Sequence, residues 1–405
     1  MPASGVAAAD PVAFKDIETP AGGGGLLAGP TLPGLAAAIG VRLLKRPVRF
    51  GKIVIAARHS QVSEVLRRDL DFRIAPVNAG RIQAVNGPFV LGMDRDDRLI
   101  TERHALYRAL ADVDLKAIAA LAAADADALL DAGAAKGRID AVEGYARPVA
   151  GRTARRLFGV TQPDDRTFHE VARAIFAHTF LNLGGDKAIA ARAVKAAGLM
   201  HGWLQAEIER RRAGKIDLPD FMGALLRQGL VDDDGVRRTV GGMLVGSIDT
   251  TATAVAKIMV VLGRDARLAE AVRRDAHDLV LTRGWCLEAL RRWPHNPLVL
   301  RQATADTTLD GVAVPAGSQV YVWTQAAMQD AEAFPDPAEL RPDRPAGGYL
   351  HFGGGMHPCA GRAVNDLQVP MLVSRLLLRG ARRVGPVAWA GPFPAKLQIE
   401  LGSAA

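Results

Sequence analysis

The chain has 405 residues, of which 49% are hydrophobic and 23% charged, with a formal net charge of +8. That balance suits a globular protein with a large core and excludes a disordered chain, while two cysteines exclude a disulfide framework and permit a reducing compartment. Scattered arginines and only 5% aromatics argue against a nucleic-acid partner; a modest basic surplus suits transient encounters with an acidic protein.

Residues 1–25 mix Ala, Pro and Gly and end in Gly22 to Gly25, which predicts a flexible leader with no membrane anchor and no signal peptide. Residues 35–44 predict a short helix, 48–56 a strand and 60–69 a helix capped by Ser60. Residues 74–92 hold Pro76, Gly80, Gly87, Pro88 and Gly92 among apolar side chains and predict a long irregular loop, often a binding element. A helix from Asp97 places His104 and Arg108 four apart on one face, as a solvated polar pair or as two cations for one ligand. Residues 112–132, 142–157, 165–183 and 189–212 predict an Ala- and Leu-rich helical bundle. The break at Leu181-Asn182-Leu183-Gly184-Gly185 suits a lid hinge, with Phe176, Phe180 and Leu181 as lining or as ordinary core.

Residues 234–262 predict a long apolar helix interrupted by Gly246, Ser247, Asp249, Thr250 and Thr251. A mid-helix glycine costs about 1 kcal/mol against alanine and an unpaired buried carboxylate costs more. Back-bonding to the i−4 carbonyl accounts for a threonine singly, but not for Gly246 and Asp249 together. Residues 282–293 predict a helix in which Glu288 and Arg291 lie three apart, a spacing that alone indicates a surface ion pair. Short strands are predicted at 298–301, 303–309, 312–314 and 319–324, with Asp310-Gly311 as a hairpin turn.

The stretch from His351 to Gly361 combines a single cysteine, Cys359, with glycines on both sides and Phe352 seven residues before it. Three consecutive glycines allow positive φ and let backbone N–H groups turn toward a sulfur. Phe352 is placed to pack under a flat ligand and His357 to reach its edge, and a helix is predicted over 367–378. A zinc site needs three or four ligands at short spacing, and Cys286 is the only other cysteine.

The pattern Phe352-x-x-Gly-x-His357-x-Cys359-x-Gly361 resembles the haem-thiolate loop of cytochrome P-450. Gly246-Ser247-Ile248-Asp249-Thr250-Thr251 is similar to the family's oxygen-activation motif, with Ser247 in place of its second glycine. Glu288-x-x-Arg291 followed by Arg344 resembles the family's structural triad. The resemblance spans roughly residues 44–401 and implies a mainly helical domain with a small β region, covering 26–405.

It also implies haem b with Cys359 as the iron ligand, and Phe352, Gly353, His357 and Gly361 forming its loop. His104, Arg108 and Arg301 become contacts of the haem propionates. Asp249 and Thr250 become the acid–alcohol pair of proton delivery, and Glu288, Arg291 and Arg344 a folding element. By family location the substrate pocket is Ile82, Phe89, Val90, Phe180, Leu244, Gly246, Ile248, Val299 and Phe393, each with ordinary core as the competing reading. The expected activity is monooxygenation of a lipophilic small molecule by O2, in a cytoplasmic monomer fed by a ferredoxin and its reductase. Asn365, Asp366 and Gln368 depart from the customary Ala, Arg and Glu and place an acid near the expected partner face. A peroxide-using or lipid-rearranging enzyme and a non-enzymatic haem sensor are the rivals.

Overall fold

Aspartates punctuate the helices. Asp96, Asp114, Asp164, Asp186, Asp220, Asp232, Asp265 and Asp278 each accept a backbone N–H from the first turn that follows, where donors are orphaned and the dipole favours negative charge. The helices they open include Asp97–Ala111, Leu115–Ala134, Asp165–Phe176, Lys187–Gly214, Asp233–Leu262 and Leu279–Arg292. The computed structural model describes residues 14–18, 31–390 and 393–402.

The Asp233–Leu262 helix organises the rest. It is long and apolar enough to cross a membrane, but 83% of its most apolar window is buried by other elements. Val236, Val240, Leu244 and Ile248 belong to one hydrophobic core, with the Ala75–Asn86, Arg147–Phe158, Asp165–Phe176 and Lys187–Gly214 helices. Ala252, Val255, Ile258 and Val261 belong to a second, with Leu115–Ala134, Leu279–Arg292 and Arg362–Leu378. Asp249, Thr250 and Thr251 therefore fall at the seam between two cores.

A five-stranded sheet lies beside the bundle, in the order Val48–Phe50, Ile53–Ala56, Gln319–Val322, Val299–Ala303, Phe72–Arg73. Only the Ile53–Ala56 and Gln319–Val322 pair is parallel. Asp310 and Gly311 turn the Thr307–Leu309 and Val312–Val314 hairpin with φ of +46° and +74°, as expected.

Several expectations are corrected. Residues 74–92 are not an irregular loop: Pro76 sits in the first turn of the Ala75–Asn86 helix, where its missing N–H costs nothing, and Gly87 ends it at φ +81°. Residues 48–56 form a hairpin rather than one strand, because Gly51 turns the chain at φ +56°. Ser60 lies inside the His59–Arg67 helix, which begins at Arg58. Of the expected leader, 1–13 and 19–25 lie outside the described residues, but Phe14–Ile17 is a helical turn whose Ile17 is buried in the first core. At the expected lid hinge, Asn182 Nδ2 donates to Asp186 O at 2.8 Å and Asp186 N to Asn182 Oδ1 at 2.6 Å, which ties the break shut.

Candidate functional site

The cysteine loop is shaped by its glycines. Gly353 and Gly355 have φ of +70° and +64°, and a Cβ on Gly355 would fall 1.8 Å from Leu66 O. That reversal lets Cys359 N donate to Phe352 O at 2.8 Å, closing the loop on itself. Cys359 lies just before the Arg362–Leu378 helix, with Gly361 at the N-cap. Burial pushes its thiol pKa up, opposed by the backbone N–H groups of Gly361 and Arg362 and by the Arg362 charge. Cys359 nevertheless keeps open surface, whereas Cys286 is buried.

Arg301 lies near the same loop, since its charge adds to burial in lowering His357 to about 4. Arg301 is 5% exposed and donates only to the Leu300 carbonyl, at 2.8 Å. Burial lowers the guanidinium to about 10, and the nearest acids, Asp94 and Asp69, are already taken by Arg73 and Arg95. It is a buried cation without a carboxylate, which is costly unless an anion arrives from elsewhere. His357 Nδ1 lies 3.2 Å from Val90 O. His104 and Arg108 share an open face of the Asp97–Ala111 helix and have no partner among the described residues. Tyr107, between them, has its phenol pushed up by burial, opposed by Arg103 and reinforced by Cys359, so this helix runs beside the cysteine.

On the long helix, Thr250 Oγ1 donates to Gly246 O at 2.5 Å, Thr251 Oγ1 to Ser247 O at 2.7 Å and Ser247 Oγ to Leu244 O at 2.8 Å. Back-bonding thus accounts for all three hydroxyls. Gly246 is different: a Cβ there meets nothing within 4 Å, so no packing requires the glycine and the helix presents bare backbone to open space. Thr251 Oγ1 also donates to Asn365 Oδ1 at 3.1 Å, tying the seam to the helix that follows Cys359. Asp249 is buried and its Oδ1 is bound by Arg147, with Arg173 Nε at 3.8 Å; its Oδ2 has no partner. Sequence reading missed both arginines, which lie over seventy residues upstream with no local signal to mark them.

Glu288 and Arg291 are fully buried rather than on the surface. Glu288 accepts two bonds from Arg291, at 2.7 and 3.0 Å, and one each from Arg344 Nε (3.2 Å), Arg341 N (3.0 Å) and Tyr349 OH (2.9 Å). Burial alone would raise this carboxyl, but Arg291, Arg341 N and Tyr349 hold it below its ordinary value. Arg291 also donates to the carbonyls of Met328, Pro337 and Glu339.

The expected pocket residues divide. Val90, Phe180, Gly246 and Val299 keep open surface, and Ile82, Phe89 and Phe393 keep a little. Leu244 and Ile248, at 1% and 0% exposure, belong to the first hydrophobic core. Half-open clefts do not mark the site. Two cavities, of about 310 and 850 Å³, have no residue of the cysteine loop in their walls. The smaller adjoins Arg147 and is walled by Glu143, Asp165 and His169, whose Nε2 has no partner.

A family model described as cytochrome P450 matches residues 174–379, just over half of the chain. The chain is 30% identical over 274 residues to biflaviolin synthase CYP158A1 of Streptomyces coelicolor, covering 65% of this chain and 64% of that one. It is 32% identical over 263 residues to the cytochrome P450 monooxygenase PikC of Streptomyces venezuelae, covering 62% and 59%. The chain thus spans less than two thirds of the length of these relatives. The crystal structure of CalO2 superposes with a TM-score of 0.80 at 21% identity, covering 92% of this chain and 96% of that one.

Proposed function

The chain belongs to the cytochrome P450 family, and on that premise we propose that it is a haem-thiolate monooxygenase that hydroxylates or epoxidises a lipophilic small molecule. Membership implies a haem-iron cofactor, and the residues fit one. The reading rests on an open, N–H-supported thiol at Cys359 together with a buried guanidinium, Arg301, that no carboxylate among the described residues neutralises.

Cys359 Sγ would bind the iron of haem b, with the N–H groups of Gly361 and Arg362 stabilising the thiolate. Arg301, with His104 and Arg108, would receive the propionates, since cations without partners are where carboxylates gain most. Phe352, Gly353, His357 and Gly361 shape the loop around it. Bound haem with a thiolate ligand supplies the activation of dioxygen.

The protein's part is then positional and acid–base. Arg147 holds Asp249 by Oδ1, leaving Oδ2 to take and release a proton, and Thr250 Oγ1 is the next hydroxyl along the helix. The orphaned Oδ2 and His169 Nε2 are polar atoms that ordered water would satisfy, and the 310 Å³ cavity beside Arg147 has room for it. Val90, Phe89, Phe180, Val299 and Phe393 would give an aliphatic and aromatic substrate wall. Electrons would come from a ferredoxin and its reductase in the cytoplasm, to a monomeric enzyme. Asp366, paired with Arg283 at 2.9 Å, mutes part of the positive charge beside the loop and should narrow the choice of partner.

The test is spectroscopic and then kinetic. The reduced, carbon monoxide-treated protein should show the red-shifted absorption of thiolate ligation. A panel of lipophilic compounds should then include ones that shift the haem spectrum and drive NAD(P)H consumption with a surrogate ferredoxin. Turnover with peroxide alone, and none with the ferredoxin system, would favour the peroxide-using reading; no turnover with either would favour the sensor.

A further inference from the structure

The helix Thr31–Leu43 is packed inside out. Residues three or four apart share a helix face, and Leu32, Leu35, Ile39 and Leu43 fall within an arc of roughly 80° at 100° per residue. All four face outward, at 45%, 55%, 47% and 73% exposure. The inward face carries Gly34, Ala37 and Val41, with Gly40 so close to Trp323 that a Cβ would lie 2.6 Å from its ring. An amphipathic helix on a globular protein ordinarily does the reverse. The same packing unit continues into the Val48–Phe50 and Ile53–Ala56 hairpin, because Ala57 joins Ala37, Val41 and Ala326 in one cluster. That hairpin exposes Phe50 at 68% and Ile53 at 43% on either side of its turn.

Along this stretch of sequence the charge has one sign, and the acid that the fold brings beside it is Asp310, whose Oδ2 accepts from the Gln61 amide that also donates to Lys45 O. No Asp or Glu occurs between Glu18 and Glu64, while Arg42, Lys45, Arg46, Arg49 and Lys52 all lie there. All five are exposed, and none forms an ion pair among the described residues. Exposed large aliphatics, an aromatic at a turn and unpaired cations together match the interface of an anionic bilayer, where the apolar groups enter the headgroup boundary and the cations meet phosphates. An acidic protein would account for the cations but leave four outward aliphatics on one helix face unexplained.

We infer that the Thr31–Leu43 helix and the hairpin that follows it form a peripheral docking face for an anionic phospholipid surface. The face lies on the membrane and does not span it. It serves whatever substrate the enzyme takes, and the inference stands independently of the catalytic reading.

The test is flotation of the haem-loaded, full-length protein with phosphatidylglycerol-containing vesicles and with pure phosphatidylcholine vesicles. The wild type should float with the first at low salt and be released as salt rises. Leu35→Asp/Leu43→Asp and Arg46→Glu/Arg49→Glu should each lower partitioning at least roughly tenfold. Because all four positions are exposed, both variants should keep wild-type haem content and thiolate spectrum. Wild type that stays with the soluble fraction, that floats equally with neutral vesicles, or that floats as well after either double substitution overturns the proposal. So does sedimentation showing that Leu35→Asp/Leu43→Asp instead dissolves a dimer, which would make the face a contact with a second copy.

Discussion

Two buried arginines, Arg291 and Arg301, lie ten residues apart in sequence and in opposite states. Arg291 is saturated: Glu288 binds it twice, three backbone carbonyls accept from it, and Arg344 and Tyr349 complete the carboxylate. Arg301 reaches one carbonyl of its own neighbour. Burying a guanidinium costs several kcal/mol in either place. Where the described residues supply every partner, the charge is architecture; where they supply no carboxylate, the charge is free to take an anion from outside, as proposed for Arg301. Cys359 belongs with Arg301, an open thiol whose own chain offers N–H groups but no counter-charge beyond Arg362.

The largest effect should come from removing the centre of the open half. Cys359→Ser should abolish the thiolate-type carbon monoxide spectrum and all substrate-dependent product. Unfolding should be little changed in the haem-free protein, because serine is nearly isosteric with the thiol it replaces and Cys359 keeps open surface. A normal spectrum in this variant would move the iron ligand elsewhere.

The two arginines then give the comparison its cleanest test. Arg291→Ala leaves the Glu288 carboxylate buried with less than its full set of partners and should destabilise the haem-free protein by about 3–5 kcal/mol. Arg301→Ala removes a buried charge that has no ion pair among the described residues. Its haem-free stability should be unchanged or slightly higher, while haem affinity falls, as read by denaturant unfolding and haem titration. Equal losses of stability in both would mean that Arg301 is structural as well. Thr250→Ala should cost less in folding than either, and should instead lower the yield of product per NAD(P)H with release of peroxide, because a positioned proton donor is worth about 10²–10⁴-fold in rate. Unchanged coupling would leave Thr250 with only its bond to Gly246 O.

Much of this was legible in the chain, and the misreadings share a cause. The Cys359 loop, the Gly246 to Thr251 run and the Glu288–Arg291 pair are compact in sequence, and their residue types announce their chemistry. The long helices were legible from periodicity within a few residues, because apolar faces repeat every turn. Residues 74–92 were misread because Pro76 and Gly80 were taken as helix breakers; one sits in the first turn and the other over open space, where neither disturbs the packing. What no local reading could reach is pairing at a distance. Arg147 on Asp249, and Arg238 on Glu102, are set by how helices cross, and only the fold brings them together. The burial of Leu244 and Ile248 is of the same kind: periodicity places the helix, but which of its faces meets packed neighbours is a tertiary fact.

Acidification should separate the two halves in order, with the smallest effect at each step. Burial lowers His169 and His201 to about 4, from an ordinary value of 6.5, with nearby arginines adding to the shift. Between pH 6.5 and 4 the unfolded chain therefore binds protons at these histidines that the folded chain does not. Stability must fall as pH drops through that window, by up to roughly 3 kcal/mol for the buried His169 and by less for the half-buried His201, whose charge solvent screens. Glu288 has the opposite kind of shift: its carboxyl is held below the ordinary 4.5, so its contribution is complete above that pH and is lost only as pH falls through its folded value. Denaturant unfolding followed from pH 7.5 to 3.5 should thus weaken first below 6.5 and again below 4.5. His169→Gln should make the first limb shallower by this one histidine's share, His201 and His357 being lowered as well, and leave the second, since His169 borders the Arg147 cavity rather than the Glu288 cluster. A first limb unchanged by that substitution would place the histidine's proton uptake in the folded state, and with it water already at His169 Nε2.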